Sequence, residues 1–295
     1  MSTNHTRRKT NLLSILHISG YSKFIQMRKQ VLFMILFVAN CSYANTYVGV
    51  VLSKKNNEPI GYVNIGIVGK GVGTVSDENG RYALTFDDRL FATDSIRFSY
   101  IGLSTQTIAV SDFVTQSDRT IYLFEQSIEL KTVEISSVGF KDKTFGHPKL
   151  KKGLWMGFRE TDRGYEIGFP LKIKKKTVLK EFNAHVKALN ADSLFFRFNV
   201  YDLSGDSPIL ILNEPIYLRM PIVSNQITAD ISQYNICVEN DVLITLEQVN
   251  NSGQGPILFP TSLFGSIYYR FTSHGKWEKA PMSIGFSVKA KVQNK

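Results

Sequence analysis

Leu194-Phe195-Phe196-Arg197-Phe198-Asn199-Val200-Tyr201 decides the fold class. Leu194, Phe196, Phe198 and Val200 alternate with Phe195, Arg197, Asn199 and Tyr201, so an extended chain sorts them onto opposite faces. The same period of two runs through Val242, Ile244 and Leu246, which alternate with Leu243, Thr245 and Glu247. It returns in Ile284, Phe286, Val288, Ala290 and Val292, which alternate with Gly285, Ser287, Lys289 and Lys291. This pattern marks strands with one face buried and one wet. Beyond an apolar run near the N-terminus, no window of about a dozen residues carries a helical stripe. The expected fold class is therefore all-β: two β-sandwich domains, the second a sandwich or jelly roll, preceded by a signal segment.

The composition agrees. In 295 residues, 43% hydrophobic and 12% aromatic content supplies cores that a disordered tail lacks. Two cysteines are too few for a disulfide scaffold or a four-thiolate metal site. Seven of the nine prolines follow residue 150, and they read as loops and edges that cut the second half into short strands.

The formal charge of +10 suggests a polyanionic partner, but its location argues otherwise. Arg7, Arg8, Lys9, Lys23, Arg28 and Lys29 lie in residues 1–44, which hold no acid. Removing those six from 35 leaves 29 basic against 25 acidic residues, a net of +4. The same stretch has the order of a secretory signal: Met27-Arg28-Lys29, the apolar run Val31–Ala39, then Ser42-Tyr43-Ala44. Nine apolar residues are too few to span a bilayer, which needs about 20. Cleavage is expected after Ala44, with translation starting at Met27 and residues 1–26 an overhang. Lipidation at Cys41 is the alternative; Asn40 before it is a poor fit. The remaining cysteine, Cys237, is expected to fill a strand as a small hydrophobe.

Residues 46–124 carry an ordered set of signals. Tyr47–Val51 and Ile60–Ile67 read as strands around a turn at Lys54–Pro59. Gly73-Thr74-Val75-Ser76-Asp77-Glu78-Asn79-Gly80-Arg81-Tyr82 follows, with Asn79-Gly80 as its tight turn. Then come Phe98-Ser99-Tyr100-Ile101-Gly102 and Ile121-Tyr122-Leu123. With Glu58-Pro59-Ile60, these stretches resemble the carboxypeptidase-D regulatory-like domain over about 80 residues. The resemblance implies a prealbumin-like sandwich without peptidase chemistry. Such modules often precede the plug of TonB-dependent receptors, and Ile128–Ile135 is similar to the segment that closes them. The 160 residues that follow are too few for a plug and a receptor barrel. The expected division is 1–44 overhang and signal, 45–135 regulatory-like sandwich, 136–152 linker and 153–295 a second sandwich. The linker reading rests on Gly139, Lys141, Lys143, Gly146, Pro148, Lys149, Lys151 and Lys152.

Chemistry is sparse. Gly69, Gly71 and Gly73 match no phosphate-binding pattern and read as turn glycines. Asp77, Glu78 and Asn79 lack the ligand spacing of a calcium loop. His147, His185 and His274 have no metal-ligand spacing. Ser273-His274-Gly275-Lys276 matches S-x-x-K, but on a turn rather than at a helix start. No catalytic residue, metal or cofactor is expected, and an enzyme is not the expected reading. The candidate ligand-binding residues are Tyr268, Arg270, His274 and Trp277, the densest aromatic-polar cluster, with Lys174 and Lys176 from the run Lys172–Lys180. Alternation puts Tyr268 and Tyr269 on opposite faces.

The expectation is an exported, non-catalytic binding or structural module of the periplasm or outer-membrane surface, not integral to the membrane once cut. Its expected partners are a surface glycan or outer-membrane proteins, not nucleic acid. A carbohydrate-binding accessory protein, a small outer-membrane barrel and a hydrolase with an unrecognised site are the alternatives.

Overall fold

The computed structural model describes residues 44–126, 139–159, 161, 163–188, 193–250 and 255–294. The expected signal with Met27 and Cys41, and the closing phrase 128–135, lie outside the described residues. Asn45–Lys295 form one compact unit.

The period-two stretches are realised as strands throughout. The first half holds β1 (Asn45–Ser53), β2 (Asn64–Ile67), β3 (Gly73–Val75), β4 (Arg81–Phe86), β5 (Ser95–Ser99), β6 (Gln106–Ala109), a short helix α1 (Val110–Thr115) and β7 (Thr120–Leu123). Next come β8 (Phe140–Gly146), β9 (Leu154–Phe158), β10 (Glu166–Leu171), β11 (Thr177–His185), β12 (Lys187–Ala188), β13 (Ser193–Asp202), β14 (Ile209–Leu210) and β15 (Ile216–Pro221). The chain continues through β16 (Gln226–Asp230), a 3-10 turn at Ser232–Tyr234, β17 (Cys237–Val238), β18 (Val242–Glu247), β19 (Ile257–Arg270), β20 (Glu278–Ile284) and β21 (Phe286–Gln293).

The described residues form four open sheets. In the first half β4-β1-β7 faces β3-β2-β5-β6, and Tyr47, Val51, Tyr82, Leu84, Phe98 and Phe113 fill the space between. In the second half nine strands run β12-β19-β10-β18-β13-β14, with β15 on β13 and β9 and β20 on β19. The facing sheet is β16-β11-β21-β8, with β17 on β11. Phe182 and Phe286 of the smaller sheet meet Phe198 and Phe259 of the larger, with ring centroids 5.6 and 4.8 Å apart. These packed rings form the centre of the larger core, a burial worth roughly 1.5–3 kcal/mol per side chain. The second half is therefore a sandwich. A small outer-membrane barrel is excluded for it, because the sheets stay open and their apolar faces turn inward, where a barrel needs closure and an apolar exterior.

Other expectations need correction. The stretch read as a linker contains β8, which pairs with β21 from Phe140↔Gln293 to Gly146↔Ser287. Its lysines and weak alternation belong to an edge strand, where charge guards against stray pairing. The second strand of the first half begins at Asn64 rather than Ile60, because Gly61-Tyr62 turn and Tyr62 takes φ +60. Pro170 lies inside β10, not in a loop. Its missing N–H is tolerated there because pairing with β19 ends at Gly168. The face of β13 read as wet is also buried: Arg197, Asn199 and Tyr201 are as hidden as Phe196 and Phe198 on the other side.

That second burial comes from contact between the two halves. A Cβ on Gly66 would stand 2.5 Å from the Ser273 carbonyl oxygen, and one on Gly73 would collide with the same atom. These glycines are needed for close approach, not for an unusual φ. Gly66→Ala should lower the unfolding free energy by about 1–3 kcal/mol in urea denaturation. Gly71→Ala, where a Cβ meets nothing within 4 Å, should stay within about 0.5 kcal/mol of the parent.

Candidate functional site

Glu166 and Glu247 are lone charges in otherwise apolar stretches, Tyr165-Glu166-Ile167 and Thr245-Leu246-Glu247. Register makes them neighbours. Arg270 of β19 lies opposite Glu166 of β10, Glu166 opposite Glu247 of β18, and Glu247 opposite Arg197 of β13. Four adjacent strands thus carry Arg–Glu–Glu–Arg in one row, on the face turned away from the sandwich core. Both carboxylates are 0% exposed, Arg197 is 2% and Arg270 is 9%.

Removing four charges from water costs several kcal/mol per ion unless each meets a partner. Here each does. Arg270 donates from Nε and Nη2 to Glu166 Oε2 at 2.8 and 2.6 Å. Arg197 donates from Nε and Nη2 to Glu247 Oε2 at 2.9 and 2.8 Å. Asn199 Nδ2 bridges the two carboxylates, at 2.9 Å from Glu166 Oε1 and 3.0 Å from Glu247 Oε2. Tyr201 donates to Glu166 at 2.9 Å, and Thr245 Oγ1 donates to the same carboxylate. Glu247 Oε1 is buried and accepts no hydrogen bond among the described residues.

The electrostatics follow. Burial drives the Glu247 carboxyl above its usual range, against the pull of Arg197. Burial works to discharge both guanidiniums, but Glu247 beside Arg197 and Glu166 beside Arg270 hold them above their usual values. The Tyr201 phenol is pushed far up by burial and by Glu166. Two guanidiniums and two carboxylates balance in charge, and the Glu247 Oε1 lone pairs are the part of the row left unmatched among the described residues.

The first half closes it. Arg197 donates from Nη1 to the Tyr62 carbonyl at 2.7 Å and from Nη2 to Asn64 Oδ1. Ser273 Oγ donates to the same Asn64 oxygen at 3.2 Å. His274 Nε2 lies 3.2 Å from Ser99 Oγ and 3.4 Å from the Asn64 carbonyl, and Gly69 N–H donates to the His274 carbonyl at 2.8 Å. Tyr62 packs its ring on Phe195 and Tyr217, which stack on each other at 5.7 Å. Burial, then Arg270 and Arg97, push the His274 imidazole down to about 3.

The residues nominated from sequence divide accordingly. Arg270 belongs to the row. Trp277 lies under its guanidinium, 4.8 Å from Cζ to the ring centroid, and meets Tyr201 edge-on at 5.3 Å. His274 belongs to the seam between the halves. Tyr268 sits two residues before Arg270 on the same strand, with Lys279 Nζ 4.7 Å from its ring. Tyr269 packs instead against the larger core, as alternation requires. Lys174 and Lys176 lie in the turn between β10 and β11. Lys174 is exposed, and Lys176 Nζ stands 4.0 Å from Glu239. Nearby Lys172 pairs with Asp241 at 2.6 Å. Ser273 of the S-x-x-K match is buried, with its hydroxyl committed to Asn64. Among the described residues no group of three or more His, Cys, Asp or Glu comes together to hold a metal ion. Sequence reasoning missed Glu166, Glu247, Arg197, Asn199 and Tyr201. The available signal was a charge isolated in an apolar strand, which demands a buried partner.

Comparison with known proteins adds one family. Residues 47–135 match the model of the CarboxypepD_reg-like domain, which covers the first pair of sheets. No curated protein matches the chain. Among solved structures, that of the infectious bursal disease virus Gx strain is similar at 8% identity and TM-score 0.27, over 85% of this chain and 56% of that one. The chain spans little more than half the length of that structure.

Arg197→Met should cost about 3–5 kcal/mol of unfolding free energy, because it strands Glu247. Arg197→Met with Glu247→Leu should recover most of that loss, read as a coupling energy in a double-mutant cycle. His274 supplies a pH signature. Its folded value near 3 lies below its unfolded 6.5, so the unfolded chain binds the extra proton between them. Its contribution is complete above about pH 6.5 and is lost as pH falls toward 3. Asparagine accepts the φ of +59 at this position. Thermal unfolding should therefore show a shallower decline from pH 7 to pH 5 in His274→Asn than in the parent chain.

Proposed function

We propose that the chain is an exported, non-catalytic binding or structural module of the periplasm or outer-membrane surface. The observation that carries this reading is the Arg270–Glu166–Glu247–Arg197 row. Its two carboxylates are groups that acid-base chemistry could use, yet each is held by a guanidinium, and Arg197 is held in turn by Tyr62 and Asn64. Charges paired with one another and held under Tyr62 and Asn64 suit a joint better than a reaction centre. The regulatory-like match supports a sandwich that presents surfaces. The signal-like order Met27–Ala44 supports export. Among the described residues no helix is long and apolar enough to cross a membrane.

Expression of the chain from Met27 in a bacterium with two membranes tests the location. The expected product begins at Asn45 and appears in the periplasmic or outer-membrane fraction. An uncut chain confined to the cytosol would contradict the proposal.

A further inference from the structure

The long strand β19 contains an anomaly that the joint does not explain. Its pairing with β20 is regular from Thr261↔Ile284 to Leu263↔Met282, then resumes only at Ile267↔Ala280. The surplus residues bulge outward. Phe264 stands on that bulge at φ +70, a conformation bulky side chains avoid, and is 87% exposed. Ser283 Oγ pins it by donating to the Phe264 carbonyl at 2.7 Å. A strained backbone that serves to hold an aromatic ring in water points to a use for the ring.

The surroundings say what kind. Leu154 of β9 is in register with Thr261, so it shares a sheet face with Leu263 two residues on, and both are more than half exposed. The backbone at Gly153 packs against the Thr261 carbonyl, which brings the preceding turn to the same place. That turn, Lys149-Leu150-Lys151-Lys152, holds three exposed lysines, and no acid occurs from Lys149 to Trp155. Ile257–Tyr269 of β19 contains no charged residue at all.

We propose that Phe264, Leu263 and Leu154, with Lys149, Lys151 and Lys152, dock this protein on an anionic phospholipid surface. Aromatic and aliphatic side chains enter the headgroup boundary while lysines meet the phosphates. A second copy suits the patch poorly, because a two-fold contact would set lysines against lysines. This inference goes beyond the proposed function and is read on purified chain, so it stands or fails separately from export.

Co-sedimentation of the full chain with vesicles of phosphatidylcholine, and of phosphatidylcholine mixed with phosphatidylglycerol, tests it. Binding is expected to the mixed vesicles and to weaken with salt. Phe264→Ser should weaken it about tenfold or more. Lys151→Glu and Lys152→Glu should each weaken it about fivefold or more. The thermal midpoint of Phe264→Ser should not fall below that of the parent, since the ring is exposed; this separates lost docking from lost folding. Three results would overturn the proposal: no binding to mixed vesicles, binding that Phe264→Ser leaves intact, or self-association abolished by Phe264→Ser in a chain that ignores vesicles. Binding to an acidic peptide without binding to vesicles would also overturn it.

Discussion

Two guanidinium–carboxylate pairs, side by side in one row of strands and hidden from water, constrain the rest of this structure. A charge row on the outer face of a sheet would normally cost little, because solvent would screen it. Here Glu166 and Glu247 are fully buried, so the row exists only while something covers it. The cover is the β2 region of the regulatory-like half. The Tyr62 carbonyl and Asn64 Oδ1 accept hydrogen bonds from Arg197 Nη1 and Nη2 beyond those it gives to Glu247. Each half thus completes the other: without the first, the row faces water; without the row, the Tyr62 carbonyl loses the Arg197 donor.

Close backbone approach makes this possible. Gly66 and Gly73 admit the turn that follows β19, and that turn brings Ser273 and His274 to Asn64 and Ser99. A neutral imidazole suits the place, since Arg270 and Arg97 lie near enough to oppose a further positive charge. Trp277, which returns from the same turn, lays its ring against the Arg270 guanidinium and Tyr201. The aromatic-polar cluster conspicuous in the sequence is largely a fastening, with Tyr268 beside it on β19, paired with Gly168 on one side and Lys279 on the other.

The sheet faces were legible in the sequence because alternation is a property of the extended backbone itself. Phe196, Phe198 and Val200 are core residues, as the pattern of 194–201 requires. Alternation cannot say what lies beyond the second face, which is why Arg197, Asn199 and Tyr201 read as wet. Their burial depends on a contact between residues more than 130 positions apart, such as Arg197 with Asn64. The turn at Asn79-Gly80 was legible from local chemistry, and Gly80 takes φ +72. β8 was not, because an edge strand tolerates the lysines and glycines that also make linkers. Of the candidate cluster, Arg270 and Trp277 were found for their chemistry, and Glu166 and Glu247 were overlooked because each stands alone in its own segment.

Halves joined in this way are expected to unfold together. Scanning calorimetry of the Asn45–Lys295 chain measures this most directly. The account predicts a single transition whose van't Hoff and calorimetric enthalpies agree, because neither core keeps its polar partners when the other unfolds. Two resolved transitions, one for each core, would show that the buried row does not couple the halves and would contradict it.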